Sequence, residues 1–234
     1  MDMHSRWVVA KDGDGLKPTT RDIVITLTTS VAGGADTTAT ALQAILYFLL
    51  KNPDKLAKVT GELDAADAAG KLGPMLSYRE CQEHLPYYHA AAKEAMRLHP
   101  SVGLLLERHV PEGGANICGQ FLPGGTVVGV NPWVVHHDPT VFPNPTAYEP
   151  ERWLESSPER LAQMERSFFE FGAGSRMCVG MNVAMIEVCK VVPQLLREFA
   201  ISFAQPEKEW VVRSGWFTRQ EGLVCNLERR RLPL

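Results

Sequence analysis

The sequence predicts a mainly α fold with small β-sheets, of the α+β class. Three observations lead there. Helix-like periodicity broken by Pro and Gly runs from about Asp22 to Leu98. At Val102 the pattern changes to short β-branched stretches around a Pro-Gly-Gly turn. From residue 138 to 177 the chain is rich in Pro and Gly, and a last long helical stretch follows.

The elements follow in order. Residues 1–21 read as a loop, because Asp12-Gly13-Asp14-Gly15 and Pro18 are breakers. A long helix is expected from about Asp22 to Lys51, stopped by Asn52-Pro53. The next opens at Pro53 and ends near Gly70, with Leu56, Val59 and Leu63 on one side. Ser77-Tyr78-Arg79-Glu80 fits a capping box for a short helix ended near Pro86. Tyr87 to Leu98 is a further helix, closed by His99-Pro100. Val102–Val110 and Ile117–Phe121 read as strands, and Thr126–Val130 pairs back after the Pro123-Gly124-Gly125 turn. Asn131-Pro132 places a cap and a first-turn Pro on a short helix through His136. Irregular segments as long as 138–177 are uncommon and usually functional. A long helix is expected after Cys178, where Pro193 would remove one backbone bond and introduce a kink. Trp210–Leu227 is expected to form a closing hairpin.

Composition narrows the function. The 234 residues are 45% hydrophobic and 22% charged, as in ordinary globular proteins with ample core. With 24 basic and 27 acidic residues the net charge is −3, which argues against a nucleic-acid partner. The five cysteines are odd in number and widely spaced, with no CxxC, so a reducing compartment is expected in place of a disulfide framework. The first residues lack the apolar core of a signal peptide. The most apolar stretch, Asp22 to Leu50, carries Asp36 at its middle, so no membrane span or anchor is expected in this chain.

Four motifs carry chemistry. In Phe171-Gly172-Ala173-Gly174-Ser175-Arg176-Met177-Cys178-Val179-Gly180, a glycine loop delivers a cysteine to the first turn of a helix. Backbone N–H groups and the helix dipole there favour a thiolate. Gly172, Gly174 and Gly180 leave room for a flat ligand, and Arg176 offers a permanent cation for a carboxylate. A lone cysteine after a glycine loop would read as buried core. A catalytic nucleophile is another option, though no His or Asn partner can be nominated. The second motif, Ala32-Gly33-Gly34-Ala35-Asp36-Thr37-Thr38, puts two glycines inside a helix at about 1 kcal/mol each. It fits a locally opened helix where Asp36 and Thr37 hand protons to a ligand, or a close helix–helix contact at the glycines. The third, Lys93-Glu94-Ala95-Met96-Arg97, sets Glu94 and Arg97 on one helical face, where a solvated pair is the bland reading. The fourth is Glu149-Pro150-Glu151-Arg152-Trp153, which taken alone is a turn.

Taken in order, these four motifs resemble the cytochrome P450 superfamily from about Asp22 onward. The resemblance implies that Cys178 is the proximal ligand of haem b, a thiolate that donates electron density to the iron and favours O–O cleavage. It makes Arg176, and Arg108 in Leu106-Glu107-Arg108, propionate-pairing arginines, and Phe171 the aromatic beside the thiolate. Asp36 and Thr37 match the oxygen-activating acid–alcohol pair. Glu94, Arg97 and Arg152 match a buried structural cluster. LHPSVGLLLERHVPEGG and FPNPTAYEPERWLE are most similar to fungal microsomal members of the pisatin demethylase kind.

The function so implied is monooxygenation of a small apolar organic substrate of secondary metabolism. Electrons would come from NADPH through a flavoprotein reductase. The intact protein would lie at the endoplasmic reticulum membrane, on its cytosolic face. Residues 1–234 are expected to be a single, incomplete domain lacking the family's amino-terminal half. Two other readings stay open. One is a haem-thiolate isomerase or dehydratase, against which Asp36-Thr37 argues. The other is a truncated, non-catalytic remnant. His136-His137 reads as a helix end, Cys81, Cys118, Cys189 and Cys225 as ordinary thiols, and Arg229-Arg230-Arg231 as a solvated tail.

Overall fold

The computed structural model describes residues 15 and 17–230. Most of the loop expected over 1–21, and Arg231 of the expected tail, lie outside them. Helix α1 (Thr20–Lys51) begins two residues earlier than the sequence pattern indicated. Thr19 and Asp22 form a reciprocal capping box: the Asp22 N–H donates to Thr19 Oγ1 at 3.2 Å, and the Thr19 N–H to Asp22 Oδ2 at 2.8 Å. Its buried residues, Thr38, Thr40, Ala41, Ala44, Ile45, Tyr47 and Leu49, all lie in its second half.

Helices α2 (Pro53–Ala68), α3 (Tyr78–His84) and α4 (Pro86–Leu98) follow. α2 and α4 both open with Pro at N1, where the missing N–H is no loss. α4 has no side-chain cap of its own, and Glu62 of α2 receives the Tyr87 and Tyr88 N–H groups at 2.8 and 2.9 Å instead. α8 (Met181–Glu198) packs against all four, and the Tyr88 hydroxyl donates to the Val188 carbonyl at 2.7 Å. The core between them includes Ile45, Leu49, Leu63, Leu85, Tyr88, Val188, Val192 and Leu196. Each large aliphatic residue there is worth roughly 2–5 kcal/mol on truncation to Ala. α8 runs uninterrupted through Pro193, which is buried in the same core region.

Among the described residues the β structure is four two-stranded antiparallel sheets. β1 (Leu106–His109) pairs with β4 (Val127–Val130), so β1 is shorter than the strand expected over Val102–Val110. The expected single strand Ile117–Phe121 is instead the middle of a hairpin, β2 (Ala115–Ile117) and β3 (Gln120–Leu122). Cys118 and Gly119, at φ 52° and 81°, form its two-residue turn with both residues left-handed, which suits the twist of adjoining strands. The hairpin expected over Trp210–Leu227 is narrower: β6 (Val211–Arg213) pairs with β7 (Arg219–Glu221). β8 (Cys225–Arg229) returns to β5 (Phe199–Phe203) directly after α8.

Between the sheets lie α5 (Pro132–His136), α6 (Arg152–Glu155) and α7 (Pro158–Arg166). The Asn131 side chain caps α5 as expected, accepting from the Trp133 N–H at 2.9 Å. α7 corrects the reading of 138–177 as irregular throughout. Its start was signalled by Ser157-Pro158, a cap followed by Pro at N1. A second, smaller core of Ala90, Phe142, Trp153 and Met164 holds this segment to α4.

Candidate functional site

The cysteine loop leaves α7, turns through a short 3₁₀ segment (Gly174–Arg176) and enters α8. Gly172 and Gly174 sit at φ 68° and 71°, a left-handed backbone that an L side chain would strain. A Cβ on Gly174 would meet no described atom within 4 Å, and one on Gly172 would meet Leu106 Cδ1 at 3.6 Å. The Cys178 N–H donates to the Phe171 carbonyl at 2.8 Å, closing the loop, while the thiol side stays exposed. The placement of this cysteine in the first turn of the helix needs correction. Gly180 is the N-cap, so Cys178 stands two residues before the cap. A Cβ on Gly180 would lie 3.8 Å from Cys178 Sγ, in ordinary contact.

Two guanidiniums flank the loop. Arg176 is exposed and forms no ion pair among the described residues. Arg108 is exposed on β1, and Nη1 donates to the adjacent Glu107 carbonyl at 2.7 Å. Leu106 touches the space above Gly172, and alternate residues of a strand share a face, so Arg108 stands on the side of β1 that meets the loop.

The glycine segment of α1 behaves differently from both readings of it. No described atom lies within 4 Å of a Cβ on Gly33 or Gly34, so there is no helix–helix contact there among the described residues. Nor is the helix opened: it is continuous over 20–51, and the Thr37 hydroxyl donates to the Gly33 carbonyl at 2.7 Å. A hydroxyl in this geometry satisfies itself one turn back, as threonines in helices often do. Asp36 is exposed and lies 3.6 Å from Arg219 Nη2, a solvated contact of little energetic weight.

Glu94 and Arg97 are fully buried and Arg152 nearly so. Arg97 grips Glu94 with two parallel bonds, Nε to Oε2 at 2.9 Å and Nη2 to Oε1 at 2.8 Å. Arg152 Nε reaches Oε1 at 2.8 Å, and the Trp153 indole N–H reaches Oε2 at 2.9 Å. Other guanidinium donors go to carbonyls of the 136–145 segment, Arg97 to His136 and Pro145 at 2.6 and 2.8 Å and Arg152 to Pro143 at 2.8 Å, and Arg152 Nη2 reaches Glu149 Oε2 at 3.0 Å. A charge cluster buried this deeply is tolerable only because its donors and acceptors are paired.

His136 extends the cluster toward the cysteine loop. Its Nδ1 is 2.9 Å from the Arg97 carbonyl, and its Nε2 accepts from the Phe169 N–H at 2.7 Å. A carbonyl can only accept and a peptide N–H can only donate, so the ring is neutral with its proton on Nδ1. Burial holds its pKa down to about 3. Reading His136 as a mere helix end missed this, as the Trp153 bond was missed. Glu170 and Ser101 were also missed. The Ser101 hydroxyl lies 2.8 Å from Glu170 Oε1 and 3.1 Å from the Thr37 carbonyl, joining the loop to α1. A carboxylate inside the aromatic run Phe168-Phe169-Glu170-Phe171 was the available signal.

Among the described residues, no three His, Cys, Asp or Glu gather as a protein-only metal cage. The loop instead offers one exposed thiol with the Arg176 and Arg108 cations, and α1 separately presents an open apolar face at Leu27, Thr28, Val31 and Ala32. That constitution suits a flat anionic ligand bearing a thiophilic metal. Comparison with known proteins agrees. A family model described as Cytochrome P450 matches residues 1–225. The cytochrome P450 monooxygenase cicH of Emericella nidulans is 41% identical over 232 residues, covering 98% of this chain and 46% of that protein. The cytochrome P450 monooxygenase ACRTS1 of Alternaria alternata is 36% identical over 230 residues, 98% of this chain and 60% of its own length. A pisatin demethylase of Fusarium vanettenii is 42% identical over 193 residues, 82% of this chain and 36% of that protein.

These are haem enzymes of the oxidoreductase class, and the chain spans about half the length of the curated relatives it matches. The chain belongs to the cytochrome P450 family, which implies a haem cofactor, a redox partner and an organic substrate.

Proposed function

We propose that the protein carrying this chain is a haem-thiolate monooxygenase that inserts one oxygen atom of O2 into a small apolar organic substrate and reduces the other to water. The observation that carries this reading is the exposed Cys178 on its closed glycine loop, flanked by Arg176 and Arg108. Bound there, haem b would supply iron chemistry that activates dioxygen, with electrons from NADPH through a flavoprotein reductase.

The chain's own residues have separable tasks. Cys178 holds the metal as a thiolate. Arg176 and Arg108 pair with the propionates, as planar cations suited to carboxylates. Gly172 and Gly174 hold the loop's left-handed turns, Gly180 caps α8, all three keep the loop free of side chains, and Phe171 anchors it through its carbonyl. Thr37 presents a hydroxyl and Asp36 an exposed carboxyl for proton delivery, each leaving its resting partner, the Gly33 carbonyl and Arg219, to do so. Glu94, Arg97 and Arg152 hold the 136–152 segment in place and touch no substrate. On this reading the substrate belongs to fungal secondary metabolism, and the intact protein lies on the cytosolic face of the endoplasmic reticulum membrane. No helix among the described residues is long and apolar enough to cross a membrane.

The test is spectroscopic. The reduced carbonyl complex of the full-length protein should show the red-shifted Soret band of thiolate-ligated haem, and Cys178→His should abolish it. Survival of the band in that variant would sink the assignment. A second reading, a piece without catalysis of its own, is favoured by the exposed Val24 and Val31 on α1 and Val183 and Ile186 on α8.

A further inference from the structure

Behind the cysteine loop, three segments meet at one serine. Ser101, 3% exposed, follows α4, and Glu170 immediately precedes Phe171. The Ser101 N–H faces both Glu170 carboxyl oxygens at 3.3 Å. Its hydroxyl oxygen lies 2.8 Å from Glu170 Oε1 and 3.1 Å from the Thr37 carbonyl oxygen. No ion pair reaches Glu170 among the described residues.

Counting protons decides what this arrangement is. The Thr37 carbonyl can only accept, and Ser101 has one hydroxyl hydrogen. Were Glu170 ionised, two pure acceptors would compete for that one hydrogen, and either the 2.8 Å or the 3.1 Å contact would contain no proton. With Glu170 as the acid, its O–H donates to Ser101 Oγ, the Ser101 O–H donates to the Thr37 carbonyl, and Oε2 accepts the Ser101 N–H. Every contact is then a hydrogen bond.

We propose that Glu170 carries its proton in the folded protein and acts through Ser101 as a positioning residue, fixing the loop that presents Cys178 against α1 at Thr37. Burial supports the neutral form, pushing the carboxyl up to about 8. Titratable neighbours on the joined segments leave it unpaired. His99, two residues before Ser101, is kept neutral by burial, its pKa lowered to about 4. Asp36, beside Thr37, is turned to Arg219, and His136 is bonded to Phe169. The tie continues into the loop, because the peptide after Glu170 supplies the Phe171 carbonyl that accepts the Cys178 N–H. Its consequence for the haem rests on the reading of Cys178 as the ligand, while the proton on Glu170 does not.

The full-length protein, with Glu170→Gln, Glu170→Ala and Ser101→Ala variants, separates the two. Infrared spectra at neutral pH should contain the carbonyl band of a protonated carboxyl that shifts in deuterated water and is missing from Glu170→Gln. The amide of that variant can donate to Ser101 Oγ and accept its N–H, so it should keep the wild-type proportion of thiolate-type carbonyl complex. Glu170→Ala and Ser101→Ala should bind haem but raise the fraction lacking that band roughly fivefold, the size of one lost hydrogen bond. Absence of the infrared band, or a Gln variant that fails to fold or behaves like the Ala variants, overturns the protonated tie. An unchanged carbonyl spectrum in both Ala variants overturns the positioning role. A wild-type protein with no thiolate band at all would instead defeat the proposed function, and the infrared result would still stand or fall by itself.

Discussion

Glu94 is the residue on which most other bonds converge. Two guanidiniums, an indole N–H and the Glu149 N–H all point at its two oxygens. Glu94→Ala would leave Arg97 with no anionic partner among the described residues in a fully buried site, and Arg152 with only the partly exposed Glu149, whose Oε2 lies 3.0 Å away. Removing one partner of a buried pair costs about 3–5 kcal/mol. The variant should give little folded, haem-loaded protein, and normal haem content with an unshifted denaturation midpoint would refute the structural role. His136 makes a separate forecast about acid. Its folded pKa near 3 lies below its ordinary 6.5, so the unfolded chain takes up a proton that the folded one refuses. Stability is therefore intact above 6.5 and lost as pH falls toward 3, at about 1.4 kcal/mol per pH unit. His99 acts in the same sense, with its pKa lowered to about 4. Glu170 runs the other way: its stabilising effect is complete below its ordinary 4.5 and is lost as pH rises to about 8. In the Glu170→Gln background, urea midpoints should thus fall more steeply between pH 6.5 and 5 than between 8 and 6.5. Equal slopes would show that neither ring is held neutral.

At the scale of elements, α1 joins the two functional regions while remaining a regular helix. Because the Thr37 hydroxyl is satisfied by the Gly33 carbonyl inside α1, Thr37→Ala should change stability by no more than about 0.5 kcal/mol. Its effect should fall on proton delivery, which is worth typically 10²–10⁴-fold. With a reductase present, the full-length variant should consume NADPH and release hydrogen peroxide with little product. Unchanged coupling of NADPH to product would remove Thr37 from that role. The helices were legible in the sequence because caps and prolines mark them: Pro53, Ser77, Pro86 and Asn131 each stand where an element begins. Short strands were less so. Gln120 to Leu122 pairs back on Ala115 to Ile117 only because Cys118 accepts a left-handed backbone, and nothing in its residue type announces that. Phe199 to Phe203 does alternate, but it follows α8 without a breaker and reads as more helix.

For the molecule as a whole, the residues of the candidate site were visible as motifs, while the bonds joining the motifs were not. Sequence spacing places Glu94 and Arg97 on one face. It cannot show that His136, Ser101 and Glu170 link that cluster, α1 and the cysteine loop, since those contacts span 33 to 69 positions. The exposed apolar side chains on α1 and α8 carry the last forecast. Residues 1–234 expressed alone should be poorly soluble, hold haem weakly and turn over no substrate with a reductase present, because a flat ligand needs walls on both faces. Stoichiometric haem and coupled turnover from that chain would show a more complete domain. The packed half of α1 also has an awkward place in time. Thr40 completes its bonds with Thr218 and Gln220, 178 and 180 positions later in the chain. At roughly 5–20 residues per second of synthesis, those partners leave the ribosome some 9–36 seconds after Thr40 does. Throughout that interval the nascent helix is exposed on a face that its own chain will later cover, so this is the period in which a chaperone has most to offer.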